Sequence, residues 1–221
     1  EVVEVDVNNV SYVESWHGQS LKIPFEAQFM AINTLVAAEL ALLLNVIPSK
    51  IASGISQLRA VPGRFEILKS ESSPAIVVDY AHTPEALKAT LKSARALKEN
   101  GRVFVVFGCG GGRDQGKRPL MGAMADIGAD FSVVTSDNPR GESPMSIIDE
   151  IVSGMSAGNH IVEEDRKEAI KIALMNSEPE DVIVVAGKGH ETTQEIAGKL
   201  FDFDDKEVSK SLIFQLFKEE V

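Results

Sequence analysis

The sequence predicts an α/β protein built on a mostly parallel sheet, and three observations carry that reading. Val103-Phe104-Val105-Val106-Phe107 is an unbroken run of β-branched and aromatic residues, the pattern of a strand buried on both faces. The chain then breaks into Gly108-Cys109-Gly110-Gly111-Gly112, gathers Arg113, Lys117 and Arg118, and restarts after Pro119 as an apolar helical run, Leu120 to Ala125. From Arg64 onward, apolar strands of this kind alternate with helix-length segments, the signature of βαβ units. Open sheets of this class bind ligands beyond the carboxyl ends of their strands. Cations gathered at such a loop, in a chain of net charge −11, point to an anionic ligand.

Taken in order, residues 1–23 read as two or three short strands with turns at Asn8-Asn9 and His17-Gly18. A chain that opens inside a strand pattern, without an initiator Met, reads as part of something longer. Ala31 to Leu44 is a strongly apolar helix, and Pro48 opens a second one that runs through Leu58. Val61-Pro62-Gly63 ends that unit and marks the expected domain boundary. Beyond it the expected strands are 75–79, 102–107, 130–135, 160–162 and 181–186. The expected helices are 84–98 (capped by Thr83), 119–128, 144–155 and 165–176 (capped by Asp165), with a hairpin at 195–203 and a last helix from Asp205. Helices then lie on both faces of the sheet. The loops after its strands, 79–83, 108–119, 136–142 and 187–194, meet at one edge. No internal repeat or low-complexity tract interrupts this plan.

Composition narrows the class. The chain of 221 residues is 44% hydrophobic and 25% charged, an ordinary globular balance for one large or two modest domains. Its 33 acidic against 22 basic residues argue against a surface that coats nucleic acid. One cysteine excludes an internal disulfide framework and fits a reducing compartment. The most apolar run, Leu35 to Leu44, is interrupted by Glu39 and too short to cross a bilayer. No signal-peptide pattern opens the chain, so the expected location is the cytoplasm.

Each motif has a functional and a plainer reading. Gly111-x4-Gly116-Lys117 nearly matches a phosphate-binding loop, but the next residue is Arg118, and a guanidinium cannot replace the hydroxyl that ligates Mg²⁺. The plainer reading is a glycine turn with solvated charges. Asp137-Asn138-Pro139-Arg140 follows a strand. Arg140 suits a carboxylate in bidentate fashion and Asp137 an amine, while the bland alternative is an Asx-Pro turn. Gly187-Lys188-Gly189-His190-Glu191 ends another strand with backbone amides open to a ligand. His190 reads as a packing or hydrogen-bonding residue, with no partner at zinc spacing. Asp79, at a strand end, suits a ribose hydroxyl or a helix entry. Cys109 lacks any sequence-visible group that would activate it as a nucleophile. No metal site is expected.

The segments VPGRFE (61–66), DYAHTPEAL (79–87), FGCGGGRDQGKRPLMG (107–122), DNPRGESP (137–144) and AGKGHETTQ (186–194) together resemble the Mur ligases, of the UDP-N-acetylmuramoyl tripeptide synthetase (MurE) type. The resemblance covers essentially the whole chain, more weakly over residues 1–60. It implies that residues 1–63 are the remnant of a central ATP-binding domain. Residues 64–221 would be a Rossmann-like, C-terminal amino-acid-binding ligase domain. It further implies ATP-dependent amide-bond formation in peptidoglycan precursor synthesis: the dipeptide carboxylate of UDP-N-acetylmuramoyl-L-Ala-D-Glu is phosphorylated and the amine of a diamino acid attacks it. By matching position, Asn33, Arg64 and Asp79 would contact ATP. Lys117 and Arg118 would join the catalytic anion lining, and Arg113, Asp137, Asn138, Arg140, Gly187 and Glu191 would form the amino-acid pocket.

The family's GTNGKT-type loop is absent from this sequence, so ATP and Mg²⁺ are expected to be held mainly outside it, and the chain alone is expected to be inactive. Arg140 offers a partner for the second carboxylate of meso-diaminopimelate, which L-lysine lacks, and Glu191 suits the distal ammonium. Met30, Gly112 and Thr193 depart from the family's usual residues. The expected partners are small molecules only, with no nucleic acid or membrane, acting on a monomer. The alternatives are an L-lysine-adding homologue, another ligase sharing this domain, such as a poly-amino-acid synthetase, and a non-catalytic amino-acid- or nucleotide-binding module.

Overall fold

The structure, a computed structural model, describes residues 5–6, 10–69, 72–98, 100–156 and 158–218. The chain divides into two units, Glu1–Val61 and Pro62–Val221. The first unit holds an antiparallel sheet of β1 (Val5–Asp6), β2 (Val10–Trp16) and β3 (Gln19–Ile23). Strands β2 and β3 turn at His17-Gly18, both with positive φ (46° and 75°), the geometry that lets a two-residue loop follow strand twist. The turn expected at Asn8-Asn9 lies outside the described residues. Helix α1 (Gln28–Leu43) begins three residues before the expected Ala31, and α2 (Pro48–Ser56) starts on its proline as expected. Trp16, Leu21, Ile23, Phe25, Ala31, Ala38, Ile51 and Ile55 form this unit's core.

The second unit is a six-stranded sheet in the order β4-β5-β9-β6-β7-β8, two-layered over by helices. Its strands are β4 (Glu66–Leu68), β5 (Ala75–Asp79), β6 (Val103–Phe107), β7 (Phe131–Val134), β8 (His160–Val162) and β9 (Val182–Ala186). Only β4 runs antiparallel, on the edge beside β5. All other pairs are parallel. Every residue of β5, β6 and β9 is buried, as their unbroken apolar runs require. Each fully buried Val, Ile or Phe contributes about 1.5–3 kcal/mol of transfer free energy. On one face, α6 (Arg166–Met175) and α7 (Asp205–Phe217) pack against Ile76, Val78, Phe104, Val106, Ile183 and Val185. On the other lie α3 (Pro84–Leu97), α4 (Lys117–Gly128) and α5 (Pro144–Val152). A hairpin, β10 (Thr193–Ile196) and β11 (Lys199–Asp202), completes the unit.

Strand β9 returns late in the chain and inserts between β5 and β6, so neighbouring connections diverge there. That opens the crevice at the carboxyl ends where a ligand is expected. Two details differ from the sequence expectation. Pro62 and Gly63 belong to the second unit, because Gly63 accepts the Tyr80 amide at 2.9 Å and donates its own to Glu66 at 3.0 Å. Helix α4 starts at Lys117 rather than Pro119; proline is tolerated in a first turn, whose N–H groups have no intrahelical partner.

Candidate functional site

The loops after β5, β6, β7 and β9 enclose a cavity of about 440 Å³. Arg113, Lys117, Asp137, Asn138, Arg140, Gly187 and Glu191, all singled out from sequence, line it together with Tyr80, His82, Thr83, Cys109 and Asp114. Residues spread over more than a hundred positions thus reach one space because parallel strands deliver their loops to a single edge.

The glycine loop is glycine-rich for a packing reason. The Gly111 amide donates to the Asn138 carbonyl at 2.9 Å, and a Cβ on Gly111 would stand 2.0 Å from the Pro139 carbonyl oxygen. The loop therefore lies flat on the 137–140 segment, and no side chain fits between them. Arg140 braces the same contact by donating Nη1 to the Gly111 carbonyl at 2.7 Å. Its backbone adopts φ 53°, a left-handed conformation that costs a non-glycine residue about 1–3 kcal/mol. Main-chain bonds hold it there: Arg140 donates to the Glu195 carbonyl at 3.0 Å and accepts from Ala197 at 2.7 Å. Its Nε also stands 3.4 Å from a Glu195 carboxylate oxygen. With five N–H donors, the guanidinium retains capacity for a ligand at the cavity wall.

Opposite charges face this cationic side. The Asp137 backbone is fixed by Gln194, whose Nε2 donates to its carbonyl at 2.6 Å. The Asp137 carboxylate takes no hydrogen bond from the described residues and lines the cavity. It can approach the wall because Gly187 has no side chain: a Cβ there would sit 2.5 Å from Asp137 Oδ2, and φ at Gly187 is +117°. Asn138 donates Nδ2 to Glu191 Oε2 at 2.7 Å. Arg113 is exposed, lines the cavity and makes no ion pair among the described residues. The site therefore presents cations and carboxylates in one volume, a complement for a zwitterionic molecule rather than a bare anion.

Other nominated residues sit elsewhere or are already engaged. Arg118 is fully buried, bonding Glu142 at 2.9 Å and Glu150 at 3.1 Å, and it does not line the cavity. Two carboxylates already neutralise it, and through Glu142 it holds the glycine loop. The Glu142 carboxyl is held down to about 2 by Arg118 and by the Gly112 amide, 2.6 Å away. Lys117 lines the cavity and donates Nζ to the His82 carbonyl at 2.8 Å, tying α4 to the loop after β5. Both Asp79 oxygens are taken within the chain, Oδ2 by the Phe65 amide at 2.7 Å and Oδ1 by the Thr90 hydroxyl at 3.0 Å. Burial raises its pKa despite those donors. These bonds tie the end of β5 to Phe65 and to α3. Arg64 is exposed and stacks over Tyr80, 4.6 Å from the ring centre. Asn33 stands on the exposed face of α1 in the first unit. Burial pushes the Cys109 thiol up to about 12, which removes it as a nucleophile at neutral pH.

Sequence reasoning missed two buried cations. Lys188 is fully buried behind the cavity wall, and Arg166 is fully buried beneath it. Arg166 pairs bidentately with Asp205 at 2.8 Å and donates to the Ala186 carbonyl at 2.9 Å, at the strand end that precedes Gly187. Among the described residues, no group of three or more His, Cys, Asp or Glu is placed to hold a metal ion.

Known proteins carry the same pattern. Residues 63–189 match the family model described as Mur ligase, glutamate ligase domain. A Clostridium acetobutylicum protein named UDP-N-acetylmuramoyl-L-alanyl-D-glutamate--2,6-diaminopimelate ligase 1 is 41% identical over 201 residues, 90% of this chain and 42% of its own length. A Bacillus licheniformis ligase named for the same reaction is 43% identical over 194 residues, 88% of this chain and 40% of its own. A solved structure titled as a ligase of this name aligns with TM-score 0.69 at 36% identity, over 94% of this chain and 43% of its own. The UDP-N-acetylmuramate-alanine ligase MurC of Thermotoga maritima, 21% identical with TM-score 0.65 over 90% of this chain and 40% of its own, shares the fold. The chain spans about two fifths of the length of the curated relatives it matches. Because the matched model covers more than half of the sequence and reaches into the Gly187–Glu191 loop of the cavity, the chain belongs to the Mur ligase family.

Proposed function

We propose that the cavity is the amino-acid pocket of an ATP-dependent amide ligase that adds meso-diaminopimelate to UDP-N-acetylmuramoyl-L-Ala-D-Glu in peptidoglycan precursor synthesis. One observation carries the reading: Arg113 and Arg140 share a single cavity with Asp137 and Glu191. They belong to the three cations and three carboxylates that line it, and two of each sign suffice for a molecule with two carboxylates and two ammonium groups. The names of the relatives at about 40% identity support the same substrate.

In this reading Arg113 and Arg140 anchor the carboxylates, while Asp137, Asn138 and Glu191 orient the amines. The nucleophilic amine is thereby held ready for an incoming carboxylate, and positioning and charge complementarity do the work. Lys117, at the cavity mouth, meets the negative charge that accompanies that carboxylate. Bound ATP supplies the activation of the carboxylate. Of the residues expected to meet it, Asn33 and Arg64 have exposed donors, and Asp79 keeps acceptor capacity beyond the bonds from Phe65 and Thr90. We assign residues 62–221 to the amino-acid domain and 1–61 to part of the ATP-binding domain, acting as a cytoplasmic monomer. Among the described residues, no helix is long and apolar enough to cross a membrane.

Isothermal titration of the 221-residue chain tests the pocket. Meso-diaminopimelate is expected to bind at least about tenfold more tightly than L-lysine, the value of one charged hydrogen-bonded contact. Arg140→Ala is expected to abolish that preference. Equal binding of the two amino acids, unchanged by Arg140→Ala, would overturn the assignment in favour of the lysine-adding reading.

A further inference from the structure

Lys188 is the least expected residue near the cavity. It follows Gly187 at the end of β9, and its side chain is fully buried, a position lysine takes only when its charge is matched. Its ammonium has three N–H donors and finds three acceptors. They are the Thr193 carbonyl at 2.5 Å, Asn138 Oδ1 at 3.3 Å and Glu191 Oε2 at 3.3 Å. Lys188 does not line the cavity; Asn138 and Glu191 stand between it and the ligand space.

These bonds fix two side chains that face the cavity. Asn138 Oδ1 accepts from Lys188 and from the Glu195 amide at 2.9 Å, which leaves only Nδ2 to point at Glu191. Its amide therefore has one workable orientation. Glu191 Oε2 accepts from both Asn138 and Lys188, so the same oxygen is always occupied and Oε1 is the one left for a ligand. The carboxylate is also half of a neutral pair with Lys188. An ammonium approaching Oε1 is selected by direction as much as by charge.

We propose that Lys188 is a positioning residue that sets the pocket's preference for a ligand bearing a distal ammonium group, acting through Asn138 and Glu191. The proposal rests on the reading of the cavity as a diamino-acid pocket. Its test compares meso-diaminopimelate with 2-aminopimelate, which lacks one amine, by titration calorimetry on the full chain. Lys188→Met is expected to reduce the ratio of the two affinities by at least about tenfold, the scale of a charged hydrogen bond. In a Glu191→Gln background, adding Lys188→Met is expected to change the ratio no further, because the two residues act as one unit.

A merely structural lysine would weaken both ligands equally; an unchanged ratio in Lys188→Met overturns the proposal and leaves the pocket assignment intact. If the unsubstituted chain binds neither ligand, the pocket assignment fails. The positioning role then falls with it; if instead Lys188→Met does not fold, nitrogen-15 NMR of the lysine ammonium groups decides. A Lys188 signal shielded from exchange with water, and released by Glu191→Gln, upholds the positioning role. Exchange as fast as that of exposed lysines overturns it.

Discussion

The two units use charge in opposite ways. In Pro62–Val221, charged side chains are drawn inside: Arg118, Arg166 and Lys188 are fully buried, each on named acceptors around the cavity. In Glu1–Val61, no Lys or Arg among the described residues is buried, and half-exposed Glu39 accepts from Trp16 at 2.7 Å and stands 3.4 Å from His17. Exposed apolar side chains occur in both units, but their arrangement differs. The second unit covers both faces of its sheet, whereas α1 of the first leaves Ile32, Val36, Leu40 and Leu43 exposed along one stripe. Around the cavity, buried charge fixes the loops; in the first unit, apolar packing builds the core.

The largest test of that contrast is the ion pair beneath the site. Arg166→Met leaves Asp205 fully buried without its partner, which is expected to cost about 3–5 kcal/mol in urea denaturation of the second unit. The double variant Arg166→Met, Asp205→Leu removes both charges and is expected to recover most of that stability. If the single variant melts like the unsubstituted chain, buried charge does not organise this unit.

A smaller, local effect is expected from Glu142. Its folded pKa, about 2, lies below the ordinary 4.5, so the tie to Arg118 and Gly112 stabilises the loop fully above the ordinary value and is lost as pH falls through about 2. The Gly112 amide, bonded to Glu142 at 2.6 Å, reports it directly in NMR. Its shift is expected to titrate with a midpoint near 2; a midpoint near 4.5 would mean that the glycine loop is free of Arg118.

What sequence could and could not reveal divides along the same line. Strands such as Val103–Phe107 and Val182–Ala186 were legible because burial on both faces forces continuous apolar runs. The pocket residues were legible because each motif follows such a strand. The insertion of β9 between β5 and β6 was not, since nothing local to a strand names its neighbours. Nor were the buried cations: Lys188 sits between two glycines, and Arg166 opens a helix, places where a solvated charge reads identically. The burial of Arg118 was hidden for the same reason. Its destination depends on Glu142 and Glu150, which come from a loop and a helix 24 and 32 residues away.

The smallest effect is expected on the open stripe of α1. Leu43 is 78% exposed, so its side chain surrenders little contact when replaced. Leu43→Lys is expected to change the stability of the chain by no more than about 0.5 kcal/mol, with the helix C-terminus favouring the added positive charge. Ile51, at 8% exposure in the same unit's core, supplies the reference: Ile51→Ala is expected to cost about 2–5 kcal/mol. If Leu43→Lys destabilises the unit as much as Ile51→Ala, the stripe is not open to solvent and the contrast between the units fails. If it is neutral while Ile51→Ala unfolds the unit, the Trp16–Ile55 core carries the fold of Glu1–Val61, and the exposed end of the α1 stripe contributes nothing to it.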